Sequence, residues 1–63
     1  MQHYRLYFLD EQRHIARAFV FEGADDQDAI TQAMAKGDGR AMELWHEGTR
    51  VKYFEPRSRT SPG

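Results

Sequence analysis

Met42-Glu43-Leu44-Trp45-His46-Glu47-Gly48-Thr49-Arg50-Val51-Lys52-Tyr53-Phe54 reads as two short strands joined by a tight hairpin at Glu47-Gly48. A two-residue loop ending in Gly suits such a turn, because Gly adopts the positive φ it requires at no steric cost. With Glu47 and Gly48 as the loop, His46 faces Thr49, Trp45 faces Arg50, Leu44 faces Val51 and Glu43 faces Lys52. Met42 then faces Tyr53, and Ala41 faces Phe54. Alternation places Met42, Leu44, Val51 and Tyr53 on a core face, with His46 and Thr49 at its turn end. The opposite face pairs Glu43 with Lys52 and sets Arg50 beside the Trp45 ring, a cation–π geometry. A slip of one residue would bury Glu43 and Lys52 and expose Leu44.

Working outward, Tyr4-Arg5-Leu6-Tyr7-Phe8-Leu9 alternates and reads as a strand with Tyr4, Leu6 and Phe8 on one face and Arg5, Tyr7 and Leu9 on the other. The polar Asp10-Glu11-Gln12-Arg13-His14 breaks the pattern, and a second strand runs from Ile15 to Phe21. The short connection makes these strands an antiparallel hairpin. In the second strand the core volume of the odd set (Ile15, Arg17, Phe19, Phe21) is favoured over the small even set (Ala16, Ala18, Val20). Arg17 must then snorkel or sit at the sheet edge, and a bulge would mix the two sets.

Between the hairpins, Gly23-Ala24-Asp25-Asp26 opens a helix. Asp25 or Asp26 is suited to cap its first free amides. Ala29, Ile30, Ala33 and Met34 form one apolar stripe, while Gln27, Asp28, Thr31, Gln32 and Lys36 point outward. Gly37 or Gly39 stops the helix in the left-handed conformation. A helix of about three turns with one apolar stripe needs a sheet to pack on.

The order strand-strand-helix-strand-strand predicts an α+β fold. It is a single ββαββ domain over residues 1–55 with one helix on one face of a four-stranded, mostly antiparallel sheet, followed by a disordered basic tail over 56–63 carrying Arg57 and Arg59. The strand order 2-1-3-4 is the first choice, with 1-2-3-4 the alternative.

Composition sets bounds on function. A chain of 63 residues is one small domain; at that size folding buries only roughly 60% of the unfolded chain's surface. With no Cys, disulfides and thiolate metal sites are excluded, and the default compartment is the cytoplasm. A formal net charge of −1 exerts no global pull toward nucleic acid or an anionic membrane. No apolar run approaches the ~20 residues of a membrane span, so no membrane role is expected.

Catalysis finds no machinery. Ser58 and Ser61 both lie in the tail and there is no Cys, so a nucleophile triad is not credible. His3, His14 and His46 are scattered; a metal site from His14, Asp10 and His46 would need the two hairpin turns to meet, which the preferred strand order forbids. Asp25, Asp26 and Asp28 lack the spacing of a calcium loop. Gly37-Asp38-Gly39-Arg40 follows a helix and lacks a Lys-Ser/Thr pair, so it reads as a cap and turn rather than a phosphate loop. The expectation is a non-enzyme with no catalytic residue, metal or cofactor.

One surface is left. A single helix covers one sheet face only, so Arg5, Tyr7, Leu9, Trp45, Arg50, Lys52 and Phe54 are the candidate interface, with Ala41 among them. Aromatics interleaved with Arg suit a two-fold homodimer in which sheets stack, or a partner protein. The alternative is stacking of single-stranded nucleic acid, which the net charge and Glu43 disfavour.

Tyr4-Arg5-Leu6-Tyr7-Phe8-Leu9-Asp10, His14-Ile15, Asp25-Asp26 with Ala29-Ile30, Gly39-Arg40 with Glu43-Leu44-Trp45, and Arg50-Val51 together resemble a group of short uncharacterised bacterial proteins. The resemblance spans all but the tail. Members carry Gly just before the His-Ile pair, where this chain has Arg13. It implies a stand-alone small domain and brings no catalytic or binding residue with it.

Overall fold

The computed structural model of the protein describes residues 1–56; the expected tail from Arg57 onward lies outside the described residues. Strands β1 (Gln2–Leu9) and β2 (Ile15–Gly23) are followed by helix α1 (Asp26–Lys36), then β3 (Met42–His46) and β4 (Thr49–Phe54). The strands form one antiparallel sheet in the order β2-β1-β3-β4, so the ββαββ expectation and its first-choice strand order hold.

Alternation in β1 builds the core. Tyr4, Leu6 and Phe8 cluster with Met42 and Leu44 from β3 and with Ala29 and Ala33 from the helix. The two alanines carry no more than a methyl group, so α1 lies close against the sheet. Phe21, Ile30, Val51 and Phe54 pack around this cluster. The odd set of β2 does face the helix: Arg17 pairs with Phe8, Phe19 with Leu6 and Phe21 with Tyr4. A bulge at Ala16 then shifts Ile15 opposite Leu9, onto the other face. Arg17 sits at the edge with its guanidinium 5.4 Å from the Phe19 ring.

Local chemistry explains the helix ends. Asp25 is the N-cap, its Oδ1 accepting from the Asp28 amide at 2.8 Å, while Asp28 Oδ2 accepts from the Ala24 amide at 2.9 Å. The buried stripe differs by a fraction of a turn from the expected one. Met34 is 64% exposed, whereas Gln32 is partly buried and donates to the Glu22 carbonyl at 2.9 Å. The helix buries Ala29 and Ala33 and partly buries Ile30, leaving position 34 in solvent, while Asp26 in its first turn accepts a hydrogen bond from Tyr4 Oη. Gly37 ends α1 in an extended conformation with φ −66°, and the left-handed residue of this segment is Gly39. Gly37 serves closeness instead, since a Cβ there would meet Met42 Cε at 3.1 Å.

The β3–β4 hairpin turns at Glu47 and Gly48 with φ of 52° and 82°, both positive as in a type I′ turn. His46 pairs with Thr49 and Trp45 with Arg50, as expected. Beyond them a bulge at Val51 shifts the register, so Leu44 pairs with Lys52, Glu43 with Tyr53 and Met42 with Phe54. The expected pairs Leu44–Val51, Glu43–Lys52, Met42–Tyr53 and Ala41–Phe54 are therefore replaced. The bulge lets both Val51 and Phe54 pack on the core. It also leaves the Tyr53 side chain on the face away from the helix, where its hydroxyl needs no buried partner.

Candidate functional site

Facing pairs define the sheet face that the helix leaves open. Val20 lies across from Arg5, Arg5 across from Trp45, Tyr7 across from Glu43, and Glu43 across from Tyr53. Of the candidate residues, Arg5, Tyr7, Trp45 and Arg50 share this face. Lys52 and Phe54 do not. Their register partners Leu44 and Met42 belong to the helix side, and the Lys52 ammonium lies 5.6 Å from the Phe54 ring there. Leu9 has the parity of Tyr7 but is only 5% exposed.

Next to Leu9 the chain enters the β1–β2 turn. Asp10 Oδ1 accepts from the amides of Gln12 at 2.8 Å and His14 at 2.9 Å, which folds the turn into a compact loop. The hydrogen bond from the His14 amide holds the Asp10 carboxyl below its ordinary range. Arg13 takes φ 69°, a left-handed value that glycine adopts more easily. Its guanidinium then reaches 5.7 Å from the Tyr53 ring on β4, crossing the end of the face where Leu9 and Ala41 are buried.

The middle of the face is organised by Glu43, a hub that facing-pair logic alone misassigned. Glu43 Oε1 accepts from Trp45 Nε1 at 3.0 Å, and Oε2 accepts from Arg50 Nη1 at 3.3 Å. The Arg50 guanidinium lies 5.9 Å from the Tyr53 ring, so its aromatic contact is with Tyr53 and not with Trp45 as expected. The signal for this was the i,i+2 spacing of Glu43 and Trp45, which puts both on one face within reach of one another.

At the far end a shallow groove of about 390 Å³ opens, lined by His3, Arg5, Tyr7, Val20, Trp45 and the Glu47-Gly48 turn. Val20 stands 69% exposed at its rim. Among the described residues Arg5 makes no ion pair, whereas His3 Nε2 sits 3.2 Å from Glu22. On the helix side of the same end, the His46 ring stacks on Tyr4 with centroids 4.7 Å apart. Its Nε2 is sealed from solvent without a hydrogen-bond partner among the described residues. The two hairpin turns lie at opposite ends of the sheet, so Asp10 and His14 do not meet His46. Among the described residues no group of three or more His, Asp and Glu side chains is placed to hold a metal ion, and no helix is long and apolar enough to cross a membrane.

Comparison of the chain with family models, with curated proteins and with solved structures finds no significant match.

Proposed function

We propose that this chain is a small non-enzymatic interaction module that self-associates by stacking the open sheet faces of two copies about a two-fold axis. The observation that carries the reading is the groove end of that face, where Val20, Tyr7 and Trp45 surround an Arg5 without an acidic partner among the described residues. A two-fold contact is self-complementary: what one copy offers, the other receives. Arg5 needs an acid, and Glu47 at the groove rim offers an exposed one, 79% accessible, whose own neighbour is the His46 ring nitrogen at 3.9 Å. Aromatic and Arg side chains of this kind are enriched at protein interfaces. A small core with one sheet face uncovered, in so short a chain, gains from a second copy.

Sedimentation equilibrium tests the reading. The wild type should associate as concentration rises, while Trp45→Glu and Arg5→Glu should stay monomeric with unchanged circular dichroism. A wild type that is monomeric throughout, or variants that associate normally, would remove it. A nucleic-acid platform predicts that single-stranded oligonucleotide quenches Trp45 fluorescence at low salt and that high salt reverses it. Glu43 at the centre of the face opposes phosphate, so no quenching is expected.

A further inference from the structure

We propose that proton uptake by His46 separates the stacked copies, by drawing Glu47 off the partner's Arg5 and onto the imidazolium of its own chain. This inference rests on the face-stacking reading and names its regulation. Two positive groups compete for one carboxylate. Glu47 sits exposed in the β3–β4 turn and lines the same groove as Arg5. It also follows His46 in the chain, and its Oε2 lies 3.9 Å from His46 Nε2. That nitrogen is sealed from solvent and has no hydrogen-bond partner among the described residues. The ring that carries it is stacked on Tyr4, with centroids 4.7 Å apart.

Histidine is the side chain that changes charge within about pH 5–8. A charge at a nitrogen that water does not reach needs a counter-charge beside it. Among the described residues, Glu47 is the carboxylate placed to supply it. β1 presents Tyr4, whose hydroxyl already donates to Asp26 of α1 at 2.7 Å. β4 presents Thr49, the register partner of His46, which carries no charge. The other acids at the helix start are engaged, Asp25 with the Asp28 amide and Asp28 with the Ala24 amide. A side-chain movement of about 1 Å at the turn closes the gap to a charge-assisted hydrogen bond. Stacking holds Glu47 on the partner's Arg5 and so disfavours the charged ring. Separated copies therefore bind more protons than the stacked pair, and association weakens as pH falls.

Sedimentation velocity against pH supplies the test. Between about pH 8 and about pH 5.5 carboxylates stay ionised. Over that interval wild-type association should weaken about tenfold with circular dichroism unchanged. His46→Phe keeps an aromatic ring on Tyr4 without the titrating nitrogens and should associate alike at both ends of the interval. Glu47→Gln should associate weakly at both. His14 stands at the opposite end of the sheet beside Asp10, but His3 lines the groove with its Nε2 3.2 Å from Glu22. His3→Gln should therefore keep the pH response, whatever it does to overall strength. A wild type that associates equally at both ends, or a response that survives in His46→Phe, would overturn the proposal and leave face stacking standing. A wild type monomeric at every pH removes the stacking reading itself, and the switch with it. A second arm needs no association. In Arg5→Glu, monomeric by that reading, the Glu47 carboxyl carbon resonance should move with protonation of the His46 ring. A Glu47 resonance indifferent to His46 sinks the switch whether or not the faces stack.

Discussion

Tyr4 Oη donates a 2.7 Å hydrogen bond to Asp26 Oδ1, tying the first strand to the first turn of the helix across 22 residues of chain. The same ring is 1% exposed and stacks on both Phe21 and His46. Burial, reinforced by the bond to Asp26, pushes the Tyr4 phenol from 10.0 up to about 12. A raised folded-state value means that this contribution to stability is complete below the unfolded value and is lost as pH climbs through the folded one. Alkaline denaturation should therefore begin between pH 10 and about pH 12. Tyr4→Phe should melt several degrees lower at neutral pH and lose that alkaline step, as followed by circular dichroism against pH.

The opposite sign holds at Asp10. Its carboxyl is held below the ordinary 3.8 by the His14 amide, so the stability it confers is present above the unfolded value and is lost as pH falls through the folded one. Asp10→Ala should flatten the acid limb of a stability-against-pH curve below about pH 4 and loosen the β1–β2 turn. Faster exchange of the Gln12 and His14 amides would report the loosening.

At the β3–β4 turn the two loop residues respond in opposite directions. A Cβ on Gly48 would meet nothing within 4 Å, so Gly48→Ala tests backbone strain alone. A left-handed non-glycine residue costs about 1–2 kcal/mol. Glu47 already bears such a φ, and Asn tolerates it better, so Glu47→Asn should gain about 0.5 kcal/mol. Urea midpoints of the two variants should lie on either side of the wild type.

Core and surface apolar residues separate sharply. Leu44 is fully buried, and truncating a buried Leu to Ala costs about 2–5 kcal/mol. Domains have roughly 0.05–0.15 kcal/mol of stability per residue, so Leu44→Ala should leave a substantial unfolded fraction at room temperature. Met34→Gln, on the exposed side of the helix, should change stability by less than about 0.5 kcal/mol. Thermal melts of the pair would also check the rotation of the helix stripe.

His46 Nε2 is sealed from solvent without a hydrogen-bond partner among the described residues, the Glu47 carboxylate standing off at 3.9 Å. An orphaned buried polar group costs about 1–3 kcal/mol. Replacing it by an apolar ring retains the stack on Tyr4 and removes the orphan, so His46→Phe should raise the melting temperature. A fall instead would mean that His46 Nε2 has a partner in solution.

The features legible in the chain are those set by local stereochemistry. Glu47-Gly48 turned as read because two positive φ angles are required within two residues, whatever lies around them. Asp25 capped the helix because its carboxylate reaches only the next turn's amides. The period of two in β1 and the short links paired the strands of each hairpin, while the choice of β2-β1-β3-β4 over the order 1-2-3-4 came with the tertiary structure. By contrast, the Val51 bulge answers to a core built from distant segments, and the contact of Arg13 with Tyr53 spans the sheet. Arg13 reaches across to Tyr53, and nothing near Arg13 in the chain announces it.

Alternation, capping and turn chemistry thus determined the elements and the pairing within each hairpin, since each acts over a few neighbouring residues. Which side chains the open face presents was decided only when the sheet met the helix. A hydrophobic core selects for volume and for the absence of unpaired hydroxyls. It drew in Phe54 and left Tyr53 outside, and one extra residue at Val51 was the means. That one-residue adjustment reversed the sides of Tyr53, Lys52 and Phe54 and handed Glu43 to Arg50. Packing settled it, because a strand's side-chain period of two makes every slip change the face.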